Sequence, residues 1–489
     1  MKEVLLKQQA ISAVGWSSVE ALSRQGLQFV FSVVLARLLS PEEFGTVAMI
    51  LLFTSVAGIF ADGGFSAALI QKQQISIEDT SSVFFFNLAM GLATALLMVV
   101  AAPWIAAFYR TPVLQPLTRF LALSLFLGAF GAVHSALLSR DLDFRTLTRI
   151  SVVATLSSGV VAIILAWRGW GVWSLAVQGL VSTVLSVLLL WLWRPWRPAL
   201  RFSSTALRSL FRFGSYLFVS GLLDTAFNRM YTVIIGKVYS AKDLGYYTRA
   251  DTTRQTPVML MSTVIDRVMF PLLSSAACDR QLMHRGIRKA LKILMLVNVP
   301  LCLGLTVVAR PLVFTLFGEK WNACVPYLQV LSIGGVLWPL HIINLSALKA
   351  LGRSDLFFKV EAFKKILGVS AIIVTSAISV LAMAWSVVAL GIASFFVNAH
   401  FVGLLLGYSA GSQLRDALPC LVAGASMMFC LWTVGKCLSP MASAWLLCAQ
   451  VSVGFVVYSL SCSILKIDVF RELLWEIKGR AIRLRRAVF

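Results

Sequence analysis

Charge is what this chain has least of. Only 13% of its 489 residues are Asp, Glu, Lys or Arg, against about 25% in soluble domains. So little polar material cannot cover a soluble globule, which excludes ordinary cytosolic enzymes and disordered regulators. Acidic residues are scarcer than basic ones: 21 against 43 Lys and Arg, a net charge of +22. The eight cysteines (Cys278, Cys302, Cys324, Cys420, Cys430, Cys437, Cys448 and Cys462) form no C-x-x-C pair and sit mostly in apolar runs. They read as small hydrophobes, not as a disulfide framework. No cleavable signal peptide is expected, because the first apolar stretch carries Glu20 and Arg24 and no small-residue cleavage site follows. P-loop, H-E-x-x-H, G-x-S-x-G and dinucleotide signatures are missing too. The expectation is therefore no enzyme, no bound metal and no cofactor.

What the chain does have is 59% hydrophobic residues and a mean hydropathy of +0.85, the composition of a protein that lives in a bilayer. Fourteen helices crossing a hydrocarbon core of about 30 Å at roughly 21 residues each would use about three-fifths of the chain. Charge-free runs place most of them: 44–61, 81–109, 120–139, 150–167, 169–193, 293–309 and 321–348, two in 366–414 with a turn near Ala384, then 417–435 and 437–465. Three more, near 12–37, 214–236 and 254–274, are interrupted by charge. The expected fold is all-α, polytopic, with about fourteen transmembrane helices. With the amino terminus inside, alternate loops divide the 43 cations into 29 inside and 9 outside, with Arg24, Arg119, Arg229, Arg254 and Arg267 left in spans. The excess of Lys and Arg marks the cytoplasmic side, so both termini are expected there and nucleic acid is not needed to explain the charge. Every outside loop is short, which argues against an external catalytic domain. The tail 466–489 mixes Phe470, Leu473, Leu474 and Ile477 with seven basic residues, as an interfacial helix on anionic lipid would.

The string VVLARLLSPEEFG at 33–45 returns as VIIGKVYSAKDLG at 233–245, and ALLSRDLDF at 136–144 as ALGRSDLFF at 350–358. Two matches in the same order point to a duplication. Six spans separate the copies, so the halves share an orientation and should be related by an axis along the membrane normal. The division expected is a first lobe at 1–200, a second at 201–412, an extra helix pair at 413–465 and the tail at 466–489.

Glu20, Arg24 and Gln28 fall at i, i+4, i+8 on the first span, and Asp224 and Asn228 occupy the matching row of the seventh with Arg229 alongside. Arg254 and Asp266 share a row on the eighth, and Asp62 opens an Asp-Gly-Gly on the second. An Arg at mid-membrane costs about 2.5–3.5 kcal/mol on insertion scales and nearly always faces protein or water. These four spans are therefore expected to line a polar cavity between the lobes, with structural ion pairing as the alternative. His134, His341 and His400 have no partner at metal-ligand spacing and read as core residues. Glu42-Glu43 is expected in a tight external turn after Pro41, without acid–base chemistry.

Five strings, ARLLSPEEFG at 36–45, GWGVWSL at 169–175, IGKVYSAKDLGYY at 235–247, Phe270-Pro271 and FGEKW at 317–321, are where the chain resembles the polysaccharide-exporter branch of the multidrug/oligosaccharidyl-lipid/polysaccharide flippase superfamily, near the Wzx-type flippases. Asn228-Arg229-Met230 stands where that family usually has an acidic residue. The resemblance implies two six-helix lobes with alternating access. It also implies transport of an undecaprenyl-diphosphate-linked oligosaccharide across the bacterial inner membrane for O-antigen, capsule or exopolysaccharide, beside polymerase or export machinery. Arg24, Arg229 and Arg254, with Gln28 and Asn228, are the candidates for the diphosphate, since guanidinium groups can replace its hydration. Glu20, Asp62, Asp224 and Asp266 are the candidates for coupling to Na+ or H+. A cation-coupled multidrug antiporter of the same superfamily is the alternative, and a non-transporting membrane scaffold a remoter one.

Overall fold

The computed structural model describes residues 2–264, 279–438, 441–472 and 475. Sixteen α-helices run through them: α1 Lys2–Leu38, α2 Pro41–Asp62, α3 Phe65–Gln71, α4 Ile77–Tyr109, α5 Leu114–Arg140, α6 Phe144–Trp167, α7 Val172–Trp193, α8 Ser204–Val238, α9 Ala241–Val264, α10 Arg280–Leu316, α11 Cys324–Gly335, α12 Trp338–Ala350, α13 Ser354–Ser376, α14 Val380–Leu406, α15 Ala410–Cys437 and α16 Ser443–Ile464. No strand occurs among the described residues. Among the described residues nine helices are long and apolar enough to cross a membrane, ten if the bent pair α11 and α12 is one span. The protein is a multi-pass membrane protein. The other long helices, α1, α8, α9 and α13, each carry charge within their length.

Several local expectations shift. The charge-free run 321–348 is two helices meeting at 41° after Gly335, with Pro339 in the first turn of α12. The turn expected near Ala384 lies at 377–379, just ahead of α14. Glu42 and Glu43 belong to the first turn of α2, not to a loop. Ser40 accepts from the Glu43 amide while the Glu43 carboxylate accepts from the Ser40 amide at 2.6 Å, a reciprocal cap of the kind S-x-x-E encodes. Its sequence counterpart caps α9 alike, the Asp243 amide donating to Ser240 Oγ at 3.0 Å and that hydroxyl to Asp243 Oδ2 at 2.6 Å.

The chain falls into two compact units, 1–248 and 249–489. In the first, α4 packs on α5, α1 on α6, and α8 on α2. Lipid tails are as apolar as leucine, so helices here associate through close packing and polar contacts. A methyl added to Gly91 would lie 2.8 Å from Ala129 Cβ, and one on Gly159 2.5 Å from the Phe31 ring. At the starts of α2 and α9 even backbones touch: a Cβ on Gly45 would fall 1.6 Å from the Ala241 carbonyl oxygen. Arg140 at the end of α5 donates to the carbonyls of Leu69, Lys72 and Gln73, closing the end of α3.

In the second unit α10 packs against α15 and α16, and α13 against α14. Buried Met295, Val299, Cys420 and Cys462 fill the join, and Tyr458 donates to the Leu296 carbonyl at 2.9 Å. Arg288 of α10 forks onto Asp416 of α15 at 2.6 and 2.7 Å. The start of the basic tail joins this unit instead of lying free on lipid, since Ile467 and Val469 are buried in its core and Glu472 meets Lys289 at 2.6 Å. The rest of the tail, apart from Trp475, lies outside the described residues. At the start of α13, Arg353 forks onto Asp355 of its first turn at 2.9 Å on each arm.

Candidate functional site

A charged group in a helix interior needs a partner or water, so each candidate can be judged by what surrounds it. On α1, Arg24 meets Glu20 at 3.1 Å with the two side chains 50% and 24% exposed. This is an intrahelical pair with an open face. Gln28, one turn further, is exposed too. On α8, Asp224 and Asn228 are exposed and Arg229 half-buried. Asp62 closes α2 and accepts from Ser66 Oγ of α3, the chain reversing through Gly63 at φ +58° and Gly64 at φ +77°. All of these lie in the first unit. Asp266, with Arg267, lies outside the described residues.

Arg254 belongs to the second unit. It was expected to open a span, but α9 begins at Ala241. Arg254 therefore stands thirteen residues along, about 20 Å into the helix. Its side chain is 16% exposed and bonds Asp251 Oδ1 at 2.9 Å, and Asp251 also accepts from Gln255 at 2.6 Å. The Arg254 Nε has no partner among the described residues. Beside it the broken span passes close by, since a methyl on Gly335 would lie 3.9 Å from Arg254 Cδ. The break frees backbone carbonyls at Gly335 and Val336, and the buried Asn298 amide of α10 donates to both, at 2.9 and 3.1 Å. Irregular backbone at membrane depth persists only where protein or a watery cavity covers it. The result is a basic group with an unused donor beside interrupted backbone, a local arrangement able to take an oxyanion.

Arg249, counted among external-loop cations from sequence, is 6% exposed. Its guanidinium lies 5.1 Å from the ring centroids of both Phe317 and Trp321. Those rings come from FGEKW, whose Gly318 at φ +91° turns the chain between them. Gly171 of GWGVWSL, at φ +54°, lies where a Cβ would stand 2.4 Å from Glu43 Oε1, so two of the quoted strings meet at one cap. These strings build joints between helices, while the exposed polar groups lie elsewhere.

Residues 34–326 match the family model described as polysaccharide biosynthesis protein. The chain belongs to that family. The family member is 29% identical over 424 residues to the teichuronic acid biosynthesis protein TuaB of Bacillus subtilis, covering 86% of this chain and 88% of the other. It is 30% identical over 346 residues to the succinoglycan biosynthesis transport protein ExoT of Rhizobium meliloti, at 71% and 70% coverage. In structure it is similar to the lipid II flippase MurJ in an inward closed conformation, with a TM-score of 0.73 over 94% of this chain and 99% of the other at 16% identity.

The histidines of this family member differ from one another. His134 is buried against the rings of Trp191 and Trp196, 4.9 and 5.0 Å away, while His400, expected in the core, is exposed. His341 lies 3.5 Å from the Asn398 amide. Lys364, assigned to a cytoplasmic loop from sequence, sits within α13 and pairs with Glu361, the two side chains 14% and 28% exposed. Among the described residues, buried Arg249 and half-buried Lys364 are cations that the charge-free runs did not reveal. The spacing of Glu361 and Lys364 by three, on a helix whose apolar part starts only at Ile366, was the available signal.

Proposed function

We propose that this protein moves a lipid-linked oligosaccharide, carried on a polyprenyl diphosphate, from the inner to the outer leaflet of a bacterial inner membrane for surface polysaccharide assembly. The observation that supports this most is the half-buried Arg254 beside the broken span α11–α12, within a family whose members include a succinoglycan biosynthesis transport protein. A diphosphate cannot cross hydrocarbon bare, and Arg replaces its hydration with charge-assisted, two-pronged hydrogen bonds. Arg24, Gln28, Asn228 and Arg229, on α1 and α8 of the first unit, are the further candidates for contacts to the diphosphate. Glu20, Asp62 and Asp224 are the candidate carboxylates for coupling to Na+ or H+, with Glu20 paired to Arg24. Asp266 is the fourth.

The crossing plan belongs to the same reading. The nine apolar helices, the bent pair as one span, and α1, α8, α9 and α13 make fourteen crossings, with both termini cytoplasmic. Six and six form a duplicated core, and α15 and α16 are the appended pair. Alike caps at Ser40 and Ser240 support the duplication. Polymerase or export machinery would take the product on the outer face. The deciding experiment reconstitutes the purified chain in liposomes with fluorescently labelled lipid-linked oligosaccharide in the inner leaflet. The expected result is that label becomes accessible to an external glycosidase at a rate at least tenfold above protein-free liposomes. A rate equal to the control overturns the reading.

A further inference from the structure

One face of α4 carries Met90, Thr94, Leu97, Ala101, Trp104 and Phe108 at helical spacing. Together with the 52–60 stretch of α2 and Val233 of α8, this face walls a groove of about 980 Å3 within the first unit. That is at the upper end of the volumes that hold small ligands, and its walls are almost wholly apolar. Thr94 is the sole polar side chain lining it, and the Thr94 hydroxyl is spent on the carbonyls of Met90 and Gly91, at 2.8 and 3.1 Å. Nothing in the groove asks for a hydrogen bond.

Its length selects the occupant. The eighteen residue steps from Met90 to Phe108 rise about 27 Å at 1.5 Å per residue, nearly the full hydrocarbon thickness of about 30 Å. A phospholipid acyl chain belongs to one leaflet and ends near the midplane, whereas the groove runs past it. A polyprenyl chain is long enough to follow it throughout. Charge gives the direction. At the Phe108 end, exposed Lys237 places Nζ 4.4 Å from the Phe108 ring centroid and donates to the Phe108 carbonyl, which leaves two of its three ammonium hydrogens for another acceptor. Exposed Arg110 follows in the same turn, at φ +56°. The opposite end of the α2 wall leads to Asp62, two residues beyond Phe60. An anionic headgroup fits the first end and is repelled by the second.

We propose that this groove binds the polyprenyl tail of the lipid-linked cargo, with the diphosphate beside Lys237. The proposal rests on the reading of the cargo as lipid-linked. The test places the full chain in phosphatidylcholine nanodiscs with undecaprenyl diphosphate bearing a photoreactive group in its tail, and maps the crosslinks by mass spectrometry. Crosslinks are expected within 52–60 and 90–108, competed by unlabelled undecaprenyl diphosphate and not by phosphatidylglycerol. Ala101→Trp should cut their yield at least fivefold. Leu97→Gln, at an exposed position, should do so severalfold if the bulkier variant fails to fold. Lys237→Gln should weaken labelling by the diphosphate severalfold and leave labelling by the matching polyprenol unchanged. Crosslinks elsewhere, equal competition by phosphatidylglycerol, or full labelling of both groove variants overturns the proposal. Translocation at the wild-type rate by a folded groove-blocked chain also overturns it while leaving the proposed function standing. A wild-type chain that labels in the groove yet translocates nothing overturns the function instead.

Discussion

Gly45 and Gly245, two hundred residues apart in the chain, each face the first residue of the other's helix. A Cβ on Gly45 would fall 1.6 Å from the Ala241 carbonyl oxygen, and one on Gly245 would fall 1.9 Å from that of Pro41. No side chain fits at either point, and the obstacle is backbone, which cannot swing aside. Gly45→Ala and Gly245→Ala are each expected to destabilise the protein by about 3 kcal/mol, the upper range for overpacking. Because both act on one contact, the double variant should cost less than the two added together. Thermal unfolding of the detergent-purified chains measures both effects.

For Arg249 the prediction turns on shape, not charge. Its planar guanidinium lies 5.1 Å from the ring centroids of both Phe317 and Trp321, and a desolvated cation–π contact is worth about 2 kcal/mol. Lysine keeps the charge but presents a compact ammonium that does not stack in the same way. Arg249→Lys should lower stability by about 1–2 kcal/mol in the same unfolding measurement. An unchanged midpoint would show that charge alone matters there.

At Arg254 the two partners should separate. Arg254→Ala is expected to abolish glycan export in a complementation assay at normal protein levels. Asp251→Asn, which releases the guanidinium from its neighbour, should retain export. If both variants lost export equally, the pair would serve packing and not cargo.

The Asn298 amide answers two carbonyls with one group. Asn298→Leu leaves both buried without a donor, at about 1–3 kcal/mol each. The expected loss is about 3 kcal/mol, with the bend between α11 and α12 altered. Cysteine pairs placed across the bend and crosslinked in membranes would report the change.

How far the sequence reaches can be seen at particular residues. Ser40 and Glu43 carry the S-x-x-E spacing of a helix start, yet the reading as a tight turn after Pro41 passed over it, because Pro41 and two adjacent carboxylates also suit a turn. The start of α9 at Ala241 was missed because Lys242, Asp243, Arg249 and Asp251 mask an apolar pattern that exists only once partners shield them. The break after Gly335 hides in an uncharged run, where Gly334-Gly335 and Pro339 were the only marks. The aromatic partners of Arg249 lie about seventy residues downstream, a distance that no periodicity spans. The intramembrane candidates Glu20, Arg24, Asp62 and Arg254 could be picked out because charge is so rare here that each one stands out. Their surroundings could not be read, because those depend on which helix comes to lie beside them.

The bend between α11 and α12 also says something about how the chain enters the membrane. A helix interrupted at Gly335 and Val336 would carry bare carbonyls into lipid if it were inserted by itself, and hydrocarbon offers nothing to satisfy them. The donor that answers them, Asn298, sits on α10, which leaves the ribosome first. Synthesis order therefore delivers the partner before the need for it arises. A rearrangement of the gene that moved α10 behind α12 would strand the broken span during assembly even if the finished structure were the same.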